Sequence, residues 1–185
     1  PINVGTSVDY MWGKSTNQVS VIETDARIPM KHALSQFVVR LKVSPEYHND
    51  GNLTSAKLKA TGAKFATTGT MNLNDGGKIT FQPTSTELTW SPNTTVPAQG
   101  QQAVDYAAAI YPMTLAAGEV SLEVVIDGAT YTYAIPQITW EAGKRYIYSI
   151  TMRSNDAEIG GENGQSVTIE GWTSTEEDIT LVPVK

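Results

Sequence analysis

Apolar residues in this chain recur mostly at every second position, the spacing that places them on one face of a β-strand. Phe37, Val39, Leu41 and Val43 alternate with Val38, Arg40 and Lys42, and Ser44-Pro45 closes the run, so a half-buried strand is predicted there. Val120, Leu122, Val124 and Ile126 share one face, Asp127-Gly128 follows, and Ala129, Tyr131, Tyr133 and Ile135 alternate beyond it. Asp-Gly between two alternating runs predicts a tight hairpin, because a primed two-residue turn needs positive φ at both central positions. Tyr146, Tyr148, Ile150 and Met152 form another strand face, placed next to that hairpin so that its tyrosines neighbour Tyr131 and Tyr133 across strands. Val167 and Ile169 lead into Gly171-Trp172, and Ile179, Leu181 and Val184 make a last apolar run interrupted by Pro183. Proline has no N–H for a ladder, so this last run reads as an edge strand or tail.

Weaker strands are expected at 19–22, 53–60, 79–82, 87–90 and 106–113. Helical signals are thin: 29–36 has room for one turn before the strand at Phe37, and 102–109 is Ala-rich, but neither carries caps at both ends. Residues 91–102 and 154–165 are polar and rich in Pro or Gly, the composition of loops. Many short strands with turn signals every eight to twelve residues predict an all-β fold, an antiparallel β-sandwich, over 1–185 as one domain, with 1–27 as a lead-in.

Composition narrows the partners. The chain has 185 residues with 13 Lys and Arg against 19 Asp and Glu, a formal net charge of -6, and no Cys. A surface that tracks nucleic-acid phosphates needs clustered cation, so nucleic acid is excluded as a partner. Absence of Cys removes disulfides, Cys-ligated metal and thiol nucleophiles, and leaves the compartment open. No apolar stretch is long enough to span a bilayer as a helix. The chain begins at Pro1 rather than Met, so a processed or truncated form is expected.

Candidate chemistry is sparse. Gly13-Lys14-Ser15-Thr16 ends like a phosphate-binding loop, yet Val8 stands where the motif's first Gly belongs and no helix follows, so a surface turn is expected. His32 lies in the lead to a core strand, where a hydrogen-bonded structural role is expected, and His48 sits in a turn. Paired carboxylates for glycosidic cleavage have only Glu119 with Glu123, or Glu158 with Glu162, to draw on. Acceptor-rich loops at 72–75 and 156–163 do not match a calcium loop with its closing Glu. The expectation is therefore no catalytic residue, cofactor or metal. The aromatic residues offer one alternative: Trp12 and Trp90 are candidates for a sugar-stacking platform of a carbohydrate-binding module, against the commoner fate of packing the core or a sheet edge.

The order of features in the C-terminal third is more specific. Ile138-Thr-Trp-Glu-Ala-Gly-Lys-Arg-Tyr-Ile-Tyr-Ser-Ile-Thr-Met152, then a polar loop, then Val167-Thr-Ile-Glu-Gly-Trp172, resembles the fimbrillin-like family of Bacteroidetes surface proteins. Two upstream pieces agree with it, Ile28-Pro-Met-Lys-His-Ala-Leu-Ser-Gln-Phe37 and Tyr131-Thr-Tyr-Ala-Ile-Pro136. The resemblance implies a Greek-key, transthyretin-like sandwich and export as a lipid-anchored lipoprotein precursor. It also implies assembly with other fimbrial subunits into type V pili or adhesins at the outer membrane, with a host protein or glycan as a further partner. It implies no enzyme. Family members commonly carry another sandwich ahead of the region matched, so the chain is expected to be the C-terminal portion of a larger protein or a short member. In that context Ile179, Leu181 and Val184 become candidates for a strand-donor tail, since edge pairing supplies main-chain hydrogen bonds while alternate side chains fill apolar pockets.

Overall fold

The computed structural model describes residues 1–5, 8–16, 27–91, 94–95, 103–153, 156–159 and 168–171. In chain order the first strands are β1 (Ile2–Asn3), β2 (Met11–Gly13), β3 (Met30–His32), β4 (Ser35–Val43), β5 (Asn52–Ala60), β6 (Thr68–Asn72), β7 (Lys78–Phe81), β8 (Glu87–Trp90) and β9 (Thr94–Thr95). Then follow β10 (Val104–Ile110), β11 (Met113–Leu115), β12 (Val120–Ile126), β13 (Ala129–Ala134), β14 (Ile138–Trp140), β15 (Lys144–Arg153), β16 (Asp156–Ile159) and β17 (Thr168–Gly171). A single 3-10 turn, Leu73–Asp75, is the only helical element among the described residues.

Two five-stranded sheets carry the fold. One runs β13-β12-β5-β8 with β9 also on β5, and the other runs β10-β4-β15-β16 with β17 also on β15. Phe37, Val39 and Leu41 of β4 and Tyr146, Tyr148, Ile150 and Met152 of β15 belong to the same buried cluster as the inward residues of β5 and β12. Aromatic rings make part of the contact between the sheets: Phe37 meets Trp90 of β8 edge-on at 5.7 Å, and Tyr148 meets Tyr133 of β13 edge-on at 6.3 Å. The tyrosines of β13 and β15 thus face one another across the sandwich and are not neighbours in one sheet. Each sheet buries its own alternating face, and the rings close the gap between them.

Local rules account for most of these elements. The hairpin between β12 and β13 turns on Asp127 at φ 49° and Gly128 at φ 78°, the two positive angles that the Asp-Gly signal demands. In β5 a register shift opposite Val125 and Ile126 lets Leu53 face inward along with Ala56 and Leu58, which strict alternation forbids. Residues 30–32 are extended where one helical turn had room, because they pair with Met11–Gly13 and a full set of cross-strand bonds outweighs a short, uncapped turn. The Ala-rich stretch likewise forms β10, antiparallel to β4 from Val104↔Leu41 to Ile110↔Ser35. The segment expected at 106–113 breaks at Tyr111-Pro112, and β11 then pairs with β14. The strands expected at 19–22 and 179–184 lie outside the described residues.

One pairing departs from the antiparallel rule: β4 and β15 run parallel, from Arg145↔Gln36 to Met152↔Val43. A parallel pair needs a long crossover, and the chain between Val43 and Lys144 supplies it. On the outward face of this sheet Asp105 of β10 accepts from Arg40 Nε at 2.6 Å and Arg40 Nη2 at 2.8 Å, and from Arg145 Nη2 at 2.7 Å. The Arg40 fork, with Arg145 behind it, holds the Asp105 carboxyl below the usual carboxylate range. Asp105→Asn leaves two guanidiniums facing each other. We expect it to cost about 1 kcal/mol, a modest figure because all three groups reach solvent, and to cost less at high salt. Urea midpoints of the two proteins at low and high ionic strength check this; equal midpoints at low salt contradict it.

Candidate functional site

Residues from two of the stretches that carry the family resemblance, 34–37 and 139–146, meet in one structural joint. Gly143, at φ 71°, donates its N–H to Leu34 O at 2.9 Å, and Ser35 Oγ donates to Glu141 O at 2.8 Å. Tyr146 OH accepts from Glu141 N at 2.8 Å and donates to Thr139 O at 2.7 Å. The turn between β14 and β15 is thereby tied both to the entry of β4 and to its own following strand. Burial pushes the Tyr146 phenol up, which keeps it the proton donor this arrangement requires. Trp140 is fully buried and sits edge-on to Phe37 at 5.7 Å, so the motif's Trp caps the aromatic core.

His32 belongs to the same joint. Its Nδ1 lies 2.9 Å from Asp9 Oδ2, and the next residue, Ala33, donates its N–H to Tyr10 O at 2.8 Å, which carries the β2–β3 ribbon one pair beyond Met11↔His32. Beside it lies a cavity of about 350 Å³ lined by Trp12, His32, Ile79, Phe81 and Pro112 and by the backbone of Gly76-Gly77. Gly77 is at φ 73°, and a Cβ there would stand 2.2 Å from Trp12 Cδ2, so only Gly lets the turn lie flat against the indole. Lys31 Nζ is 5.6 Å from the Trp12 ring centroid. The indole therefore has the Gly77 backbone against it and an ammonium over it. Trp90 is half-buried with its ring against Phe37.

The remaining candidates are dispersed. Glu119 Oε2 accepts from Ala116 N at 2.7 Å and closes its own turn, while Glu123 pairs with Lys57 at 3.1 Å and Lys59 at 2.5 Å on the outer face of β5 and β12. Lys14, Ser15 and Thr16 follow directly on β2. His48 is exposed in the loop after β4, where with Asn49, Asp50 and Asp127 it lines a polar hollow. Among the described residues no cluster of three or more His, Asp or Glu is placed to hold a metal ion. Glu162, Trp172, Ile179, Leu181 and Val184 lie outside the described residues. Sequence reasoning missed the cavity, which draws on five separated stretches of chain; the tandem Gly76-Gly77 was its one visible signal.

The fold has solved counterparts. A proposed cell adhesion protein from Bacteroides uniformis superposes with a TM-score of 0.55 at 17% identity, over 89% of this chain and 66% of that one. One from Bacteroides ovatus gives 0.55 at 17% identity, over 91% and 62%. A fimbrial protein from Bacteroides vulgatus gives 0.51 at 17% identity, over 79% and 56%. The chain thus spans less than two thirds of the length of each of these structures. No curated protein sequence matches it. At this identity the structures speak to the fold alone, but the sequence profile of the fimbrillin-like family matches residues 4–172, with both the His32 joint and the Trp140 turn inside the match, and the chain belongs to that family.

Proposed function

We propose that this chain is a module of an exported fimbrial subunit or cell-surface adhesin that acts by protein–protein contact and performs no catalysis. The observation that carries the reading is the family match over residues 4–172. The placement of the motif residues supports it: they lock strands together and leave function to surfaces and edges. Among the described residues β10 ends one sheet and β13 the other, with Ala109 O of β10 accepting from Gly5 N at 2.7 Å. An edge strand offers unpaired N–H and C=O groups to an incoming strand, and a tail with Ile179, Leu181 and Val184 at alternating and near-alternating positions is the donor that this reading assigns. Other fimbrial subunits are the first partners, and a host protein or glycan a further one. Export as a lipid-anchored precursor to the outer membrane completes the proposal.

Deleting residues 177–185 from the full-length protein in its native cell tests donation. Loss of surface fibres with a folded, soluble subunit is the expected result. A truncated subunit that unfolds assigns the tail to its own core, and one that still assembles frees it of any part in polymerisation; either result overturns strand donation.

A further inference from the structure

Among the described residues two large apolar side chains are exposed, Leu73 at 67% and Val8 at 50%. Neither lines the cavity beneath Trp12, but each adjoins in sequence a residue tied to it. Leu73 opens the turn that continues into Gly76-Gly77 in the cavity wall, a turn closed by Gly77 N donating to Asn72 O at 3.0 Å. Val8 immediately precedes Asp9, whose carboxylate holds the cavity's His32. Scattered exposed apolar residues are ordinary, but one on a turn that continues into the wall of an apolar hollow makes, with that hollow, a contact surface.

We propose that this surface is a docking site for a second copy of the chain, in a closed two-fold contact in which Leu73 of each copy enters the other's Trp12 cavity. The knob and the hole lie on one patch, the condition for a self-complementary interface. The hollow, at about 350 Å³, has room for a leucine side chain, and its lining of Ile79, Phe81 and Pro112 matches one chemically. Charge agrees with this occupant. At a net charge of -6 two copies repel one another over most of their surface, whereas here exposed Lys31 and Lys78 stand with exposed Asp9 and Asp75. Two cations against two anions bring like chains together without a charge penalty and let acids of one copy face lysines of the other. The contact is independent of the strand-donor reading, since it uses a turn and a cavity and no sheet edge.

Sedimentation equilibrium of the purified chain, from about 1 µM to about 1 mM, tests the proposal. A monomer–dimer equilibrium is expected, weakened at least tenfold by Leu73→Asp and little changed by Leu73→Met. Both substitutions fall on an exposed turn, and circular dichroism confirms that each variant is folded. A chain that stays monomeric throughout, a dimer indifferent to Leu73→Asp, or open-ended growth with concentration each overturns it. The first two outcomes hand the cavity to another occupant or the dimer to another face.

Discussion

Phe37→Ala will lower the stability of the folded chain by about 3–5 kcal/mol, the loss expected when a fully buried phenylalanine is truncated and the space only partly collapses. Phe37 is completely buried and is the hub of the aromatic core: it stacks on Tyr148 at 4.5 Å and meets Trp90 and Trp140 edge-on at 5.7 Å each. Those three rings come from β15, β8 and β14, so the substitution loosens the packing between the two sheets as well as emptying a site. Against a total of about 5–15 kcal/mol for an ordinary domain, this is a large share, and the urea midpoint will fall accordingly at an unchanged slope. Phe37→Leu keeps most of the apolar volume and will cost about half as much. Trp fluorescence follows the transition, because Trp90 and Trp140 both touch the altered ring. A cost under about 1 kcal/mol for Phe37→Ala would mean that the sheets are held together elsewhere.

The size of that effect also explains which parts of the fold were legible in the sequence. Strands β4, β12, β13 and β15 present alternating apolar faces that must be buried, and Asp127-Gly128 dictates its own turn, so local chemistry was sufficient for them. The β5 bulge hid Leu53 from a strict period, and the parallel contact between β4 and β15 joins strands about a hundred residues apart, a distance over which hydrophobic alternation carries no partner information. The same limit misplaced the tyrosines: alternation put Tyr133 and Tyr148 on inward faces correctly, but not on opposite sheets. At the candidate site, a structural role for His32 was legible because one histidine beside a core strand needs only one partner. The Trp12 cavity was not, since Trp12, Gly77, Phe81 and Pro112 are brought together by tertiary packing alone.

These contrasts bear on function. Trp140, Gly143, Tyr146 and Tyr148 made the family recognisable, and each is engaged in holding strands to strands. Under the proposed reading, specificity for a partner is to be sought away from these joints, on the sheet edges and on the Trp12 patch.

Asp127→Ala will cost about 2–3 kcal/mol, and the cost will depend on pH in a direction fixed by the native contacts. The Asp127 carboxylate accepts from Gly51 N and Asn52 N at 2.9 Å each and from the Tyr47 hydroxyl, tying the loop after β4 to the β12–β13 hairpin. Alanine removes all three hydrogen bonds, leaves the buried Tyr47 hydroxyl without this partner, and must hold φ near 49°, which strains a residue with a Cβ. The side chain reaches solvent, so water recovers part of the loss and the figure stays below that for a buried charge. Asp127→Asn tolerates the left-handed turn and keeps one acceptor, and will cost about half as much. Burial alone would push the Asp127 carboxyl up, but the Tyr47 hydroxyl and the amides of Asn52 and Gly51 outweigh it and hold it below the usual carboxylate value. A carboxyl with a depressed folded-state value stabilises fully above its unfolded value of about 4, and that contribution is lost as the pH falls through the folded one. The gap in urea midpoint between the native chain and Asp127→Asn will accordingly be widest near neutrality and close as the solution is acidified below about pH 4. Asp105 and Glu123, both depressed by their basic partners, are unchanged in the variant, so their acid losses cancel in the comparison. A gap that persists undiminished at low pH would mean that the hairpin is held by its turn geometry, with no part played by the charge on Asp127.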